Sequence, residues 1–367
     1  MAEAKLNGYE DQDAIGGYAD DREEAIRELE ELRIKVDEEI EEPDYTLYQN
    51  GVGFAPKGNI IALMAEKKHG KTFVNTIVSA AILCGEYLGM TTLLKNSKVL
   101  FFDTEMDRYD GMRVQRRVQY INHWDFRHDD GYKGRFAIYH LREKSAEERI
   151  RIIEQAIDIY RPDVVIIDGI RDLLSDFNDI EESKDIIEWA MRITSDYHIA
   201  MWTVLHVNPN SEKMRGHLGT ELGNKASDVF MVTRRKDKHA GLVTYELDHK
   251  DSRHRNIDGI EFKIDDSQHL GIPVLLNQDD TQAIEAANEE RVAEIRLMMK
   301  KYLHEVKSTS YTKLREKIRK DNHIGVVNAK KLIEEAVACG VVIVEFGMYR
   351  LKPNSGTEEN EQSELPF

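Results

Sequence analysis

Six short apolar segments, separated by stretches of helical periodicity, constrain this chain more than any other feature. They read NIIALMA (59–65), KVLFFDT (98–104), RFAIYHL (135–141), DVVIIDG (163–169), IAMWTVLH (199–206) and DVFMVTR (228–234). Helical patterns occupy 71–89, 106–122, 145–160 and 183–197. A strand that is apolar on both faces must be covered on both faces, and strand–helix alternation supplies that cover around a parallel sheet. After residue 228 the helices stop. DVFMVTR, GLVTYELDH and GIEFKID follow as strands joined by hairpins, extending the same sheet. The expected fold class is α/β, with a mostly parallel sheet in a domain spanning 46–276.

The flanking regions differ in composition. The 367 residues carry a net charge of −17, of which residues 1–45 hold −12 and residues 354–367 hold −4. The middle is therefore close to neutral and can still present a basic patch to a polyanion. Within the acidic arm 1–45, Ile26, Leu29, Leu32, Val36 and Ile40 recur at spacings of three and four, which predicts a helix over 21–40 ended by Pro43. The stripe suits a solvated helix lying on its own domain, or an arm docking on a neighbouring subunit. Residues 277–288 are polar and read as a linker. Residues 289–353 show three helical stretches and a closing strand pair turned at Gly347, the pattern of a small winged-helix-like α+β module. The tail 354–367 lacks periodicity and is expected to be unstructured. No run of eighteen apolar residues and no apolar leader occurs, so neither a membrane span nor a secretory signal is expected. Cys84 and Cys339 stand far apart in apolar surroundings, as core residues of a reducing, cytoplasmic setting would.

The chemistry gathers where the apolar segments end. The first runs into Ala65-Glu66-Lys67-Lys68-His69-Gly70-Lys71-Thr72-Phe73, a phosphate-binding loop with Ala65 in place of the usual first glycine. Alanine is tolerable there provided its φ stays negative. Gly70 admits close backbone approach, Lys71 supplies charge for the β- and γ-phosphates, and the Thr72 hydroxyl suits Mg²⁺. The helix beginning at 71 points its N-terminus at the phosphates. The expected cofactors are ATP and Mg²⁺. Asp168, closing VVIID, is the strand-end acid for the metal. VLFFDTE places Asp103 and Glu105 past another strand, where a carboxylate can activate water; Asp103 or Thr104 can equally cap the next helix. His206, ending an apolar strand, is placed to sense a γ-phosphate.

This order of motifs resembles the RecA-like ATPases. AAA+ proteins put the catalytic glutamate beside the strand-end aspartate, where this chain has Gly169. Within the RecA-like class the chain resembles the hexameric helicases of the DnaB type and the RepA plasmid type, and AAA_25-like ATPases of phages and mobile elements. The DnaB type also carries alanine at the position of Ala65. RGHLGTELGNKASDVFMVTRR and ELDHKDSRHRNIDGIEFKID are similar to the late segments of those helicases. The resemblance covers about 50–265. It implies an ATP-dependent helicase-type motor acting on single-stranded DNA in replication or mobilisation, assembled as a hexameric ring. It assigns Lys71, Thr72, Glu105, Asp168 and His206 the family's roles. Lys250 and Arg253 become candidates to reach the neighbouring subunit's nucleotide. Their spacing of three, where the family has two, leaves Arg255 a candidate as well. A non-translocating DNA-binding ATPase of the recombinase-paralogue or initiator type is the alternative reading.

The polar segment 206–220, with Lys213 and Arg215, is the expected DNA loop facing a central channel. In the C-terminal module, Lys307, Lys313, Arg315, Lys317, Arg319, Lys320, Lys330 and Lys331 oppose few acids and form a candidate phosphate-contacting face. The tail's ending, acids followed by Leu365-Pro366-Phe367, resembles the acidic tip of bacterial single-stranded-DNA-binding proteins. It suits docking on replication proteins or competition with DNA.

Overall fold

The computed structural model describes residues 12–125, 134–176, 178–208, 214–236, 240–304 and 308–353, with side chains described from residue 22 onward. The chain divides after Pro43 into two compact units. The first contains helix α1 (Gln12–Leu32). It starts before the expected helix and stops eight residues short of it, so Val36 and Ile40 lie past its end. Extension would have stacked Glu38, Glu39, Glu41 and Glu42 at a C-terminus whose dipole favours cations. Ile26, Leu29 and Leu32 are all exposed.

The second unit opens with β1 (Tyr45–Gln49), β2 (Val52–Pro56) and β3 (Asn59–Ala65), then α2 (Lys71–Cys84), β4 (Glu86–Tyr87), β5 (Met90–Thr91) and β6 (Val99–Asp103). It continues through α3 (Arg108–Ile121), β7 (Phe136–His140), α4 (Ala146–Tyr160), β8 (Val164–Asp168), α5 (Ile180–Tyr197), β9 (Ala200–His206) and α6 (Gly216–Lys225). Then come β10 (Asp228–Lys236), β11 (Val243–Ser252), β12 (Ile260–Asp265), β13 (Ile272–Leu275) and α7 (Gln278–Leu303). The chain closes with β14 (Thr309–Ser310), α8 (Tyr311–Asp321), α9 (Val326–Ala338), β15 (Val342–Glu345) and β16 (Met348–Leu351).

The main sheet has nine strands in the order β13-β12-β11-β10-β3-β9-β8-β6-β7. From β10 to β7 every pairing is parallel, and β11, β12 and β13 join antiparallel. β6 and β8 are buried at every residue. Separate apolar clusters cover the two faces, one centred on Phe101, Ile166 and Trp202, the other on Phe102, Ile167 and Met201. One strand, β9, stands between the strand that feeds the phosphate loop and the strand that ends in Asp168. This is the RecA-like P-loop arrangement, and the expected α/β class holds.

Two expectations are corrected here, and one pair of strands is added. The linker 277–288 is the first part of α7: Asn277 and Asp280 form a reciprocal capping box, and Asp280 pairs with Lys263 of β12 at 2.6 Å. The helix expected over 71–89 ends at Cys84, where Gly85 turns left-handed at φ 99° and the β4–β5 hairpin begins. β1 and β2 were not expected as strands. Their turn is Asn50-Gly51, both at positive φ, the two-residue hairpin signal that the dipeptide itself announces. The C-terminal module is α+β as expected: α7, α8, α9 and the three-stranded β14-β16-β15 enclose their own core of Met299, Tyr302, Ile318 and Ile333.

A buried cluster fastens the antiparallel extension to the core. Asp228 Oδ2 accepts from the Ala55 amide (3.1 Å) and the Ser227 hydroxyl (2.9 Å); Oδ1 accepts from Ser252 (2.9 Å). His249 Nδ1 accepts from the Ile257 amide at 3.1 Å, so its N–H lies on Nε2, 3.1 Å from Oδ1, while its ring stacks on Phe230 at 4.2 Å. Burial favours the neutral acid, yet contacts from His249, Ser252 and Ser227 hold the Asp228 carboxyl below its ordinary value. Removing one member leaves the others buried and unpaired, so Asp228→Ala is expected to cost about 3–5 kcal/mol at pH 7 in chemical denaturation. A depressed folded-state pKa stabilises above the unfolded value of about 3.9 and is lost as pH falls through the folded one. The gap between wild type and variant should therefore narrow in acid.

Candidate active site

The parallel strands end together. Ala65 lies opposite His206, and Asp103 is paired with both His140 and Asp168. Side chains just beyond these ends converge on a cavity of about 590 Å³ lined by the phosphate loop, Glu105, Asp168 and His206. Ligands of open parallel sheets bind at this edge.

Ala65 is fully buried and absent from the positive-φ positions, so the missing glycine demands no special backbone. The left-handed turns fall instead at Lys68 (φ 63°) and Gly70 (φ 93°). Successive turns of this kind aim backbone N–H groups into a concavity that receives anions. Gly70 is required twice over, because a Cβ there would also meet the Tyr245 ring at 2.6 Å. Lys67, Lys68 and His69 line the cavity beside it, and Glu66 turns back to His69 at 3.7 Å.

Lys71 is buried at the head of α2, and burial pulls its pKa down against the charges of Asp168 and Glu105. Its Nζ sits 3.0 Å from His206 Nδ1. An ammonium only donates, so Nδ1 accepts, and the remaining N–H lies on Nε2, 3.5 Å from Glu105 Oε1. The contact from His206 is the main reason that the Glu105 carboxyl is held below its usual range. Asp168 is pushed up to about 7, first by burial and then by the neighbouring charges of Glu105 and Asp103; it accepts from Asn75 Nδ2 at 3.1 Å.

Asp103 is a brace and not a base. It is fully buried, and its Oδ1 accepts from the amides of Glu105 (3.0 Å) and Met106 (2.9 Å). The helix cap is neither Asp103 nor Thr104 but Asp107. Thr104 donates to Asp172 at 2.7 Å, locking the turn after β8 to the turn after β6. Gly169 completes the lock: any Cβ there would stand 2.7 Å from Thr104 and 3.3 Å from Glu105. The space next to the strand-end aspartate is thus filled by a glutamate from the adjacent strand. Sequence reading missed Asn75, Arg117 and Arg171, which hold or line the cavity; Asn75 is polar within an otherwise apolar helix and Arg171 closely follows the strand-end acid, signals available beforehand, whereas Arg117 stands in a largely polar helix that offers none.

Among the described residues no group of three or more His, Cys, Asp or Glu could hold a metal ion unaided. The donor set that exists, the Thr72 hydroxyl and a desolvated Asp168 carboxylate, fits a Mg²⁺ that arrives with nucleotide phosphates and keeps several waters.

Residues 24–212, just over half of the chain, match the model of the AAA domain family AAA_25. The chain belongs to that family. It is a RecA-like P-loop ATPase of the AAA_25 type, and ATP is the nucleotide that the family implies for the cavity. No curated protein sequence matches it at a significant level. Among solved structures it is similar to a KaiC-like protein, PH0186, from Pyrococcus horikoshii OT3, at 16% identity and a TM-score of 0.42, over 61% of this chain and 92% of that one. It is also similar to the flagellar accessory protein FlaH from Methanocaldococcus jannaschii, at 15% identity and a TM-score of 0.43, over the same shares.

The remaining candidates lie elsewhere. Lys250, Arg253 and Arg255 are exposed and do not line this cavity. Lys250 pairs with Asp248 at 2.8 Å, and Arg253 donates to the Lys225 carbonyl at 2.9 Å. Arg215 caps α6, its amide bonded to the His206 carbonyl at 3.0 Å. Lys213, Lys307 and the tail 354–367 lie outside the described residues. In the C-terminal module Lys313 and Lys331 are exposed, whereas Arg315 pairs with Glu316 at 3.6 Å and Lys330 with Glu334 at 3.4 Å, so two of the four selected cations have acidic neighbours. Among the described residues no helix is long and apolar enough to cross a membrane.

Gly70→Ala is expected to weaken ATP binding at least ten-fold by calorimetry. Adding Tyr245→Ala should not restore it, because the left-handed backbone still costs about 1–2 kcal/mol.

Proposed function

We propose that this ATPase is a DNA motor of the helicase type, hydrolysing ATP at subunit interfaces of a hexameric ring and translocating on single-stranded DNA during replication or mobilisation of a plasmid, phage or mobile element. The observation that carries this reading is the position of His206. One ring contacts both the loop lysine and Glu105, and the same residue opens the polar segment 207–215, whose base is closed by the Val207–Met214 bridge and the Arg215 amide. A change in phosphate occupancy at Lys71 therefore reaches the candidate DNA loop through one side chain. A kinase has no need of such a connection.

Glu105 is the proposed base for the attacking water, held ionised by His206. Lys71 and Mg²⁺ neutralise the transferring phosphoryl group. Ring assembly is supported by Lys250 and Arg253. Arg253 bonds through its amide to Ser227, beside the start of β3, and so lies about 17 Å along that strand from the loop at its other end. Arg253 so placed does not serve this subunit's own loop, which leaves it available to a neighbour's nucleotide. The exposed Lys313 and Lys331, on α8 and α9, support DNA docking by a winged-helix-like module, with Arg215 at the base of the candidate DNA loop.

The test is ATP hydrolysis and strand displacement by the full chain. Hydrolysis should rise with single-stranded DNA, and an annealed strand should be released. ATP-dependent DNA binding without displacement would favour the non-translocating alternative. Glu105→Gln should retain ATP binding and lose hydrolysis by at least 100-fold; persistent turnover would remove Glu105 from the mechanism.

A further inference from the structure

Arg117 is a cation built into a place where cations are costly. It lies in the middle of α3 between the buried Val114 and Val118 and is itself only 6% exposed. Its Nε donates to the Leu270 carbonyl at 2.6 Å, and its guanidinium lies over the Phe73 ring at 4.7 Å. Among the described residues no carboxylate stands within ion-pairing distance of it. Arg113 adds a like charge nearby, with Asp110 and Asp266 opposing at longer range. A buried arginine without a counter-charge is destabilising unless an anion completes it. Arg117 lines the same cavity as the phosphate loop.

Its place in that cavity selects the part of the ligand. Lys71 and the loop amides serve the β- and γ-phosphates. Phe73 follows Thr72 into α2, past the loop, so Arg117 borders the end from which the nucleoside emerges. Met106 and Val114 form the apolar wall there. Leu270 takes the Nε hydrogen and Phe73 one face, and Nη2 lies beside Gly271, but among the described residues neither Nη makes a hydrogen bond.

We propose that Arg117 is a nucleotide-binding residue that engages the α-phosphate and ribose of bound ATP. The inference rests on the nucleotide reading of this cavity. Calorimetry on the full chain with ATP, ADP and inorganic pyrophosphate, each with Mg²⁺, tests it, because pyrophosphate can fill the β- and γ-positions without an α-phosphate or ribose. Arg117→Ala should weaken ATP and ADP by the same factor, ten-fold or more, and leave pyrophosphate unchanged, with Arg117→Lys intermediate. Should the alanine variant fail to fold, Arg117→Met keeps the packing on Phe73 and takes its place. Unchanged ATP affinity overturns the proposal, as does an equal loss for pyrophosphate, which would indicate a disturbed phosphate loop. Lys71→Ala should lose all three ligands. A wild-type protein that binds none of them would remove the nucleotide reading itself, whereas binding that depends on Lys71 but not on Arg117 removes only this inference.

Discussion

An ammonium group kept out of water at the head of α2 is the charge around which the site is arranged. Lys71 is buried there because the loop wraps it, and burial pulls its pKa down. The charges of Asp168 and Glu105 oppose that shift, and each of these carboxyls is in turn moved from its ordinary value by other groups in the cavity. None of the three titrates as it would in isolation. Their common position follows from a parallel sheet, since only parallel strands deliver successive turns to one edge. The dry core on both faces of the sheet thus determines the electrostatics at its rim.

The second shell of the site is as specific as the first. Asp103, Thr104 and Gly169 carry no chemistry themselves, but they fix where Glu105 emerges. Asp103 holds the amides of the turn, Thr104 ties it to the next strand's turn, and Gly169 leaves the volume into which Glu105 projects. A side chain at position 169 would meet the Thr104 hydroxyl at 2.7 Å and crowd Glu105 at 3.3 Å, on a backbone at φ 110°, so glycine next to the strand-end aspartate keeps the place of Glu105 clear.

Much of this was legible in the sequence where a residue's type and its neighbours agree. NIIALMA predicts β3 to the residue, because an apolar run bounded by a polar turn has little freedom of register. The loop, Asp168, Glu105 and His206 come together as their strand-end positions imply. What was not legible depends on distant contacts. Nothing near Asp103 distinguishes a brace from a base; that depends on two amides it captures by folding back. The polar segment 277–288 reads as a linker by composition, yet Asn277 and Asp280 cap a helix and Lys263, far back in the chain, anchors it. Arg117 looks like an ordinary surface arginine of an amphipathic helix until α2 and the β12–β13 turn close over it.

β11 has one further consequence. Tyr245 near its start fills the space beside Gly70, and Lys250 near its end lies about 17 Å further along the strand. From Tyr245 to His249 every residue is paired with β10, so that span behaves as a stiff bar, whereas Lys250 is the extra residue of a bulge opposite Val229 and Phe230, where a strand bends. A shift of the phosphate loop against the Tyr245 ring would be carried along the bar and converted at the bulge into a change of aim, so the direction of the Lys250 side chain is set by one irregular residue and not by the length of the strand.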